Sequence, residues 1–162
     1  MLTTLARAEI AAAQPAASPD PAQIAAVERQ LSEAVRAEPG SLKAQHALAV
    51  FYLQHGDLKS AIPHLRRAYV IDPAHYDNGY NFGLALLQIG SIDEARRIVT
   101  QLLQVKETGE LHNLLGDVEE LAGNLNDAAE HFQRAAHMDA TEEHLFDWGN
   151  IHLQRRAGEN AL

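Results

Sequence analysis

The chain has 162 residues, 46% apolar and 22% charged, which suits one compact domain or a short stack of repeats and is too apolar for wholesale disorder. A net charge of −9 argues against a nonspecific phosphate binder, and so against nucleic acid as a partner. With no cysteine in the chain, disulfides, thiolate metal sites and thiol nucleophiles are excluded.

Residues 1–19, rich in Ala and ending in a Pro15 to Pro19 stretch, read as a flexible tail, because Arg7 and Glu9 break the apolar core that a secretory signal needs. The richest apolar run, Phe82 to Ile89, is interrupted by Gly83 and Gln88 and falls short of the roughly 20 residues of a membrane-spanning helix. The expectation is a soluble protein, cytoplasmic in the first instance, or exported if a signal has been removed. Regular structure begins at Asp20: a carboxylate able to cap free amides, Pro21 in the first helical slot, and Gln23 placed for a capping box. Ile24, Val27, Leu31, Ala34 and Val35 then recur at helical spacing until Pro39-Gly40 ends the segment.

Beyond residue 40 the sequence repeats itself. Gly56-Asp57, Gly90-Ser91 and Gly123-Asn124 are spaced 34 and 33 residues apart. Five residues after each glycine stands an alanine (Ala61, Ala95, Ala128). A bulky apolar residue follows four later (Leu65, Val99, Phe132), and Ala68, Leu102 and Ala135 three after that. A glycine can take the left-handed conformation that ends one helix, and Asp, Ser or Asn can cap the next, so each pair predicts the turn of a helical hairpin. Upstream, Leu48-Ala49, Phe82-Gly83, Leu115-Gly116 and Trp148-Gly149 set a large residue beside a small one, as close helix packing requires.

These residues resemble the tetratricopeptide repeat, with its period of about 34 residues and its W-x-x-L-G-x-x-Y, A-x-x-x-F, P pattern. The resemblance implies an all-α, right-handed α-solenoid of antiparallel helix pairs: a half repeat at 20–39, repeats at 42–75, 76–108 and 109–141, and a truncated fourth repeat over 142–162. The chain departs from the pattern where the tryptophan slot holds Gln45, Gly79, His112 and Leu145, and where Glu107 and Ala140 replace the closing proline. Pro63 falls inside a second helix and should forfeit one backbone bond. With no second helix to follow it, the fourth repeat would leave Leu145, Trp148, Ile151 and Leu153 partly uncovered. That suggests either a fragment of a longer protein or a second copy covering this end.

Reactive constellations are lacking. The nine histidines include no pair three or four apart, the spacing that helical metal sites use, and His64 and His131, which share one slot in their repeats, read as a repeated surface position. The glycines fall singly, without a phosphate loop. Ser60 and Ser91 are accounted for by helix starts. Glu119-Glu120 and Glu142-Glu143 read as solvated faces, since adjacent helical residues do not face each other. The expectation is no catalysis, no metal and no cofactor.

What remains is a surface. In the resembled family the first helix of each repeat lines a concave groove, and by spacing that groove is expected to include His46, Val50 and Leu53, then Tyr80, Asn81, Leu84, Leu87 and Gln88. Asn113, Asp117 and Glu120 would follow, with Phe146 and Asp147 from the last helix. Some relatives hold a carboxyl terminus in a basic clamp. Here Asn81 matches one clamp position, but His46, Val50, Glu110 and Leu114 occupy the others, which argues against that ligand. Residues 109–147 carry ten acidic groups and one basic, so the half-groove they build should favour a basic segment, unless the run serves solubility alone. The leading expectation is a protein-binding module with Tyr80 and Phe146 as anchors, Leu84 and Leu87 as floor, and Asp117, Glu120 and Asp147 selecting basic partners. The alternatives are a targeting arm of a larger enzyme, or a homodimer paired through Leu145, Trp148, Ile151 and Leu153.

Overall fold

The computed structural model describes residues 20–159, all of them helix or short connection; the expected tail at 1–19 lies outside the described residues. The helices are α1 (Pro21–Ala37), α2 (Leu42–Gln54), α3 (Leu58–Ile71), α4 (Tyr76–Gln88), α5 (Ile92–Val105), α6 (Gly109–Leu121), α7 (Leu125–Met138) and α8 (Glu142–Glu159). Each packs against its neighbours in sequence, as a solenoid requires. First helices of successive pairs also touch, α4 with α6 and α6 with α8, whereas α3, α5 and α7 make no comparable contact with one another. Helices that approach more closely on one side of a stack form its inner wall, so α4, α6 and α8 line the concave face, and α2 continues it across a cleft shared with α4.

The hairpin turns follow from the glycine pairs. Gly56, Gly90 and Gly123 have φ of 72°, 76° and 82°, a region that residues with a Cβ avoid. The next amide in each case reaches back five residues, from Asp57 to the Tyr52 carbonyl at 2.9 Å, Ser91 to Leu86 at 2.9 Å and Asn124 to Glu119 at 2.8 Å. The glycine amides bond three residues back, which completes Schellman closures. The expected caps are only partly present. Asp57 accepts from the Ser60 amide at 3.0 Å and Asp20 from the Ala22 amide at 2.9 Å, but Ser91 and Asn124 make no side-chain cap. Asn124 instead donates through Nδ2 to Glu119 at 2.7 Å. The first helices of the pairs start on Ser41, His75 and Thr108, whose side chains accept from amides three residues on.

The repeated apolar slots form the core. Ala61, Ala95 and Ala128, Leu65, Val99 and Phe132, and Ala68, Leu102 and Ala135 are all fully buried. Pro63 lies on the exposed side of α3, where the lost backbone bond faces water. Ile151 is buried against Phe132, Ala128 and Ala129, with Trp148 half-buried beside them. Two of the four residues expected to be uncovered on the last helix are therefore held within the chain, while Leu145 and Leu153 remain exposed.

Candidate functional site

The inner wall has two sectors. Between α2 and α4 opens a cleft of about 420 Å³, lined by Val50, Leu53, Asn81, Leu84 and Gln88 and closed at one end by Gly56 and Leu58. Its floor is aliphatic because the inward positions of α2 and α4 carry Val and Leu, while Asn81 and Gln88 supply polar edges. His46 lies toward the other end of α2, its Nδ1 3.4 Å from Asn78 Oδ1 and its ring 5.3 Å from that of His75. Leu87 does not belong to this floor: it is buried within the core, one residue around the helix from Gln88.

Across α4, α6 and α8 the wall becomes acidic and is laced at the repeat period. Tyr76 donates to Glu110 at 2.6 Å, Asn113 Nδ2 to Asp147 at 3.1 Å, and Gln154 Nε2 to Glu120 at 2.6 Å. Each bond links residues 34 apart in successive first helices, so the rungs fix the register of the wall. Burial first, and then the Glu110 hydrogen bond, pushes the Tyr76 phenol up to about 12. Tyr80, half-buried, stacks on Tyr76 with ring centroids 6.3 Å apart, and burial together with Glu110, Glu143 and Asp117 raises its phenol as well. Burial, reinforced by Asp147, Glu120 and Glu143, pushes the Asp117 carboxyl up to about 7. Phe146 stands out from α8, 71% exposed.

Of the expected groove residues, Val50, Leu53, Asn81, Leu84 and Gln88 come together in the cleft, and Tyr80, Asn113, Asp117, Glu120 and Asp147 in the acidic sector. His46 and Phe146 lie to either side. Sequence spacing missed what the second helices contribute. His64 and His131 are partly buried and each has a partner: His64 Nδ1 meets Gln45 Oε1 at 2.8 Å, and His131 Nδ1 meets His112 Nδ1 at 3.1 Å. Burial lowers the pKa of both, and His112 adds to the effect at His131. The signal was present in the equal separation of 19 residues between Gln45 and His64 and between His112 and His131, which joins the tryptophan slot to the following helix. Glu119 is likewise not part of a solvated face. It is buried and receives Arg96 Nε at 2.6 Å, and that bond holds its carboxyl below the usual range. Among the described residues no group of three His, Asp or Glu side chains is placed to hold a metal ion, and no helix is long and apolar enough to cross a membrane.

Sequence models of the tetratricopeptide repeat match residues 24–76 and 52–118, together more than half of the chain. The chain belongs to the tetratricopeptide repeat family. That architecture is a protein–protein interaction module. Solved structures agree on the fold. MamA (residues 41 to the end) from Desulfovibrio magneticus RS-1 superposes with a TM-score of 0.77 at 18% identity, over 85% of this chain and 79% of that one. A second structure, MamA MSR-1, gives 0.67 at 23% identity over 73% and 68%. TTC0263, a thermophilic tetratricopeptide repeat protein in Thermus thermophilus, gives 0.65 at 18% identity over 82% and 74%. No curated protein sequence matches the chain significantly.

Proposed function

We propose that this chain is a non-catalytic binding module, with repeats at 42–75, 76–108 and 109–141, whose inner groove takes an extended or helical segment of a partner protein. The segment is apolar where it meets Val50, Leu53 and Leu84 and basic where it meets Asp117, Glu120 and Asp147. The observation that carries this reading is the continuity of an aliphatic cleft with a carboxylate sector on one wall. An apolar floor supplies contact area, and a negative field, opposite in sign to a basic segment, selects and steers the partner.

A partner recovered by affinity capture, cut into overlapping peptides, supplies the ligand. One peptide should bind the 162-residue chain with roughly micromolar affinity, weaken as salt is raised, and lose at least tenfold to Leu84→Glu and to the Tyr80→Ala, Phe146→Ala pair. Glu130→Ala, on the exposed side of α7, should bind as the parent does. Equal affinities for the groove variants and the parent would remove the assignment.

A second reading is favoured by Leu145, 47% exposed, and Leu153, 68% exposed, on α8: a second copy pairing through this helix. Sedimentation equilibrium separates the two, since a monomer at millimolar concentration rules out the pairing. A role as the targeting arm of a larger enzyme is compatible with the first reading and would place the same groove on the partner side.

A further inference from the structure

The two ends of the array carry complementary halves of a hairpin. Among the described residues, α1 holds the place of a second helix with no first helix before it, and α8 the place of a first helix with no second helix after it. The slots that are fully buried in α3 as Ala61, Leu65 and Ala68 stand 34 residues earlier in α1 as Val27, Leu31 and Ala34. There Val27 is 45% exposed, Ala34 is exposed and Leu31 is half-buried, and no residue of α1 is buried. Beside them a notch of about 330 Å³ opens between α1 and α2, lined by Leu31, Ala34, Ala37, Lys43, Ala44 and Ala47. Elsewhere in the stack the equivalent notch is filled by a first helix: α4 lies against both α5 and α6, and α6 against both α7 and α8.

The open side of α8 has the matching shape. A Cβ built on Gly83 would stand 2.7 Å from Val99 and 3.4 Å from Leu114, the residues of α5 and α6 that correspond to Leu31 and Ala47. The counterpart of Gly83 on α8 is Gly149, where a Cβ meets nothing within 4 Å, so the glycine of a close helix approach is present while no described helix approaches it. In the second hairpin Gly79 stands against Leu102. The corresponding pair at the two ends is Leu145, 47% exposed, and Ala34, a large residue facing a small one with the order exchanged, which keeps the summed volume that close packing needs. Charge agrees as well. The rung from Tyr76 to Glu110 transposes to Glu142 and Lys43, of opposite sign, and the rung from Asn113 to Asp147 transposes to Phe146 and Ala47. The end helices are also the longest, 17 and 18 residues against 13 or 14 for the others. With no turn joining them, they can run past the point at which the interior hairpins close.

We propose that α8 of one copy seats in the α1–α2 notch of the next, so that two half repeats complete one hairpin between chains. The proposal rests on the reading in which a second copy engages α8, and it names the surface on the other side. Because α8 and the notch are different surfaces, the contact is heterologous. Each copy keeps a free notch at one end and a free α8 at the other, so assembly propagates as an open row that continues the solenoid and does not close as a symmetric dimer. The contact covers Leu31 and Ala34 on one side and Leu145 and Trp148 on the other, the apolar surface for which the ends of a repeat array otherwise need polar caps.

The test uses the 162-residue chain. In sedimentation velocity between about 10 µM and about 1 mM, the mean mass should pass that of a dimer and keep rising with concentration. Gly149→Leu obstructs the open side of α8 and Ala34→Arg obstructs the notch. Both positions are exposed, so each variant should keep the helical content and melting temperature of the parent, and each alone should be monomeric throughout that range. Mixed in equal amounts, the two should form a one-to-one dimer and stop there, because only one intact notch and one intact α8 remain. Glu142→Lys should weaken assembly several-fold, and Glu142→Lys with Lys43→Glu should restore it. A mass that stops at the dimer, with Ala34→Arg dimerising as the parent does and the mixture adding nothing, overturns the notch and leaves a symmetric pairing of α8 standing. A parent that stays monomeric at about 1 mM overturns both. If Leu5→Glu in that monomer then shifts the Ala34 and Ala47 amide signals in NMR, the notch belongs to residues 1–19 of the same chain. The groove reading is scored separately, by peptide affinity at concentrations where the chain is monomeric.

Discussion

The small-residue slot of the first helices offers a stability test in which one substitution should have opposite signs at two equivalent positions. A Cβ built on Gly116 would stand 2.5 and 2.6 Å from two ring carbons of Phe132 and 2.9 Å from a third, and that ring is fully buried. A Cβ on Gly149, the same slot one repeat later, meets nothing within 4 Å, because none of the described helices packs on that side of α8. Replacing glycine by alanine in a helix interior gains about 1 kcal/mol from backbone entropy. Forcing a methyl against a close-packed ring costs more, since overpacking is worth about 1–3 kcal/mol and a contact below about 3 Å against a rigid ring sits at or beyond the upper end. Gly116→Ala should therefore lose about 1–2 kcal/mol net, and Gly149→Ala should gain up to about 1 kcal/mol. The chain itself suggests the rescue. In the first repeat the slot holds Ala49 and the facing residue is Leu65, both buried without a clash, so Gly116→Ala with Phe132→Leu should be more stable than the sum of its parts. Urea unfolding followed by circular dichroism gives the global change. Trp148, the single tryptophan, packs on the Phe132 cluster and reports that end of the array by fluorescence. A repeat array need not unfold in one step, so the tryptophan transition should move at least as far as the global one. A Gly116→Ala chain as stable as the parent would refute the close approach of α6 and α7.

Three further perturbations probe the charged groups. Asp117→Asn should raise the melting temperature at pH 8 and leave it unchanged near pH 4: a carboxyl whose folded pKa lies above its unfolded value loses stability as pH rises from about 4 to about 7, and the amide removes that loss. Arg96→Met leaves the buried Glu119 without its main partner, so stability should fall by about 1–3 kcal/mol at pH 7. Because the lowered Glu119 pKa contributes stability that is present above the unfolded carboxylate range and lost as pH falls through the folded value, the same variant should flatten the acid limb of the denaturation curve. His131→Gln should flatten stability between about pH 5 and 7, since a histidine buried in its neutral form contributes stability at higher pH and loses it as pH drops below the ordinary histidine range; thermal melts across that interval give the slope.

The fold was legible because its determinants are local and recur. A left-handed glycine, an alanine five residues on and a bulky residue four further on each act within one hairpin, and three copies of the pattern reinforce one another. The cleft was legible for the same reason, since helical period places Val50, Leu53, Asn81, Leu84 and Gln88 on one face. Leu87 was not, because the boundary between floor and core is about one residue wide on a helix and depends on how far the next helix leans in. The His112–His131 and Arg96–Glu119 pairs were hidden for a different reason: they join helices whose relative rotation no single-helix period encodes. Ser91 and Asn124 show the limit of residue-type rules, for each has a side chain able to cap a helix, yet the Schellman closure already orders the turn and leaves Asn124 to serve Glu119 instead.

The acidic sector and the core beside it obey opposite demands, and the contrast argues for use. Glu119, one residue from Glu120 on the same helix, is supplied with Arg96 and Asn124 as donors, whereas the charged groups that act on Asp117 among the described residues are three carboxylates. Both are acidic residues of α6, so charge composition for solubility explains neither difference: a charge kept for solubility belongs in water, where desolvation does not oppose it. Holding the partly buried Asp117 carboxyl among like charges costs stability that a neutral side chain would avoid. Such a cost is characteristic of sites completed from outside. If the sector served solubility alone, Asp117→Asn would change neither partner affinity nor its pH dependence, and the stability it gains would come without any loss of binding.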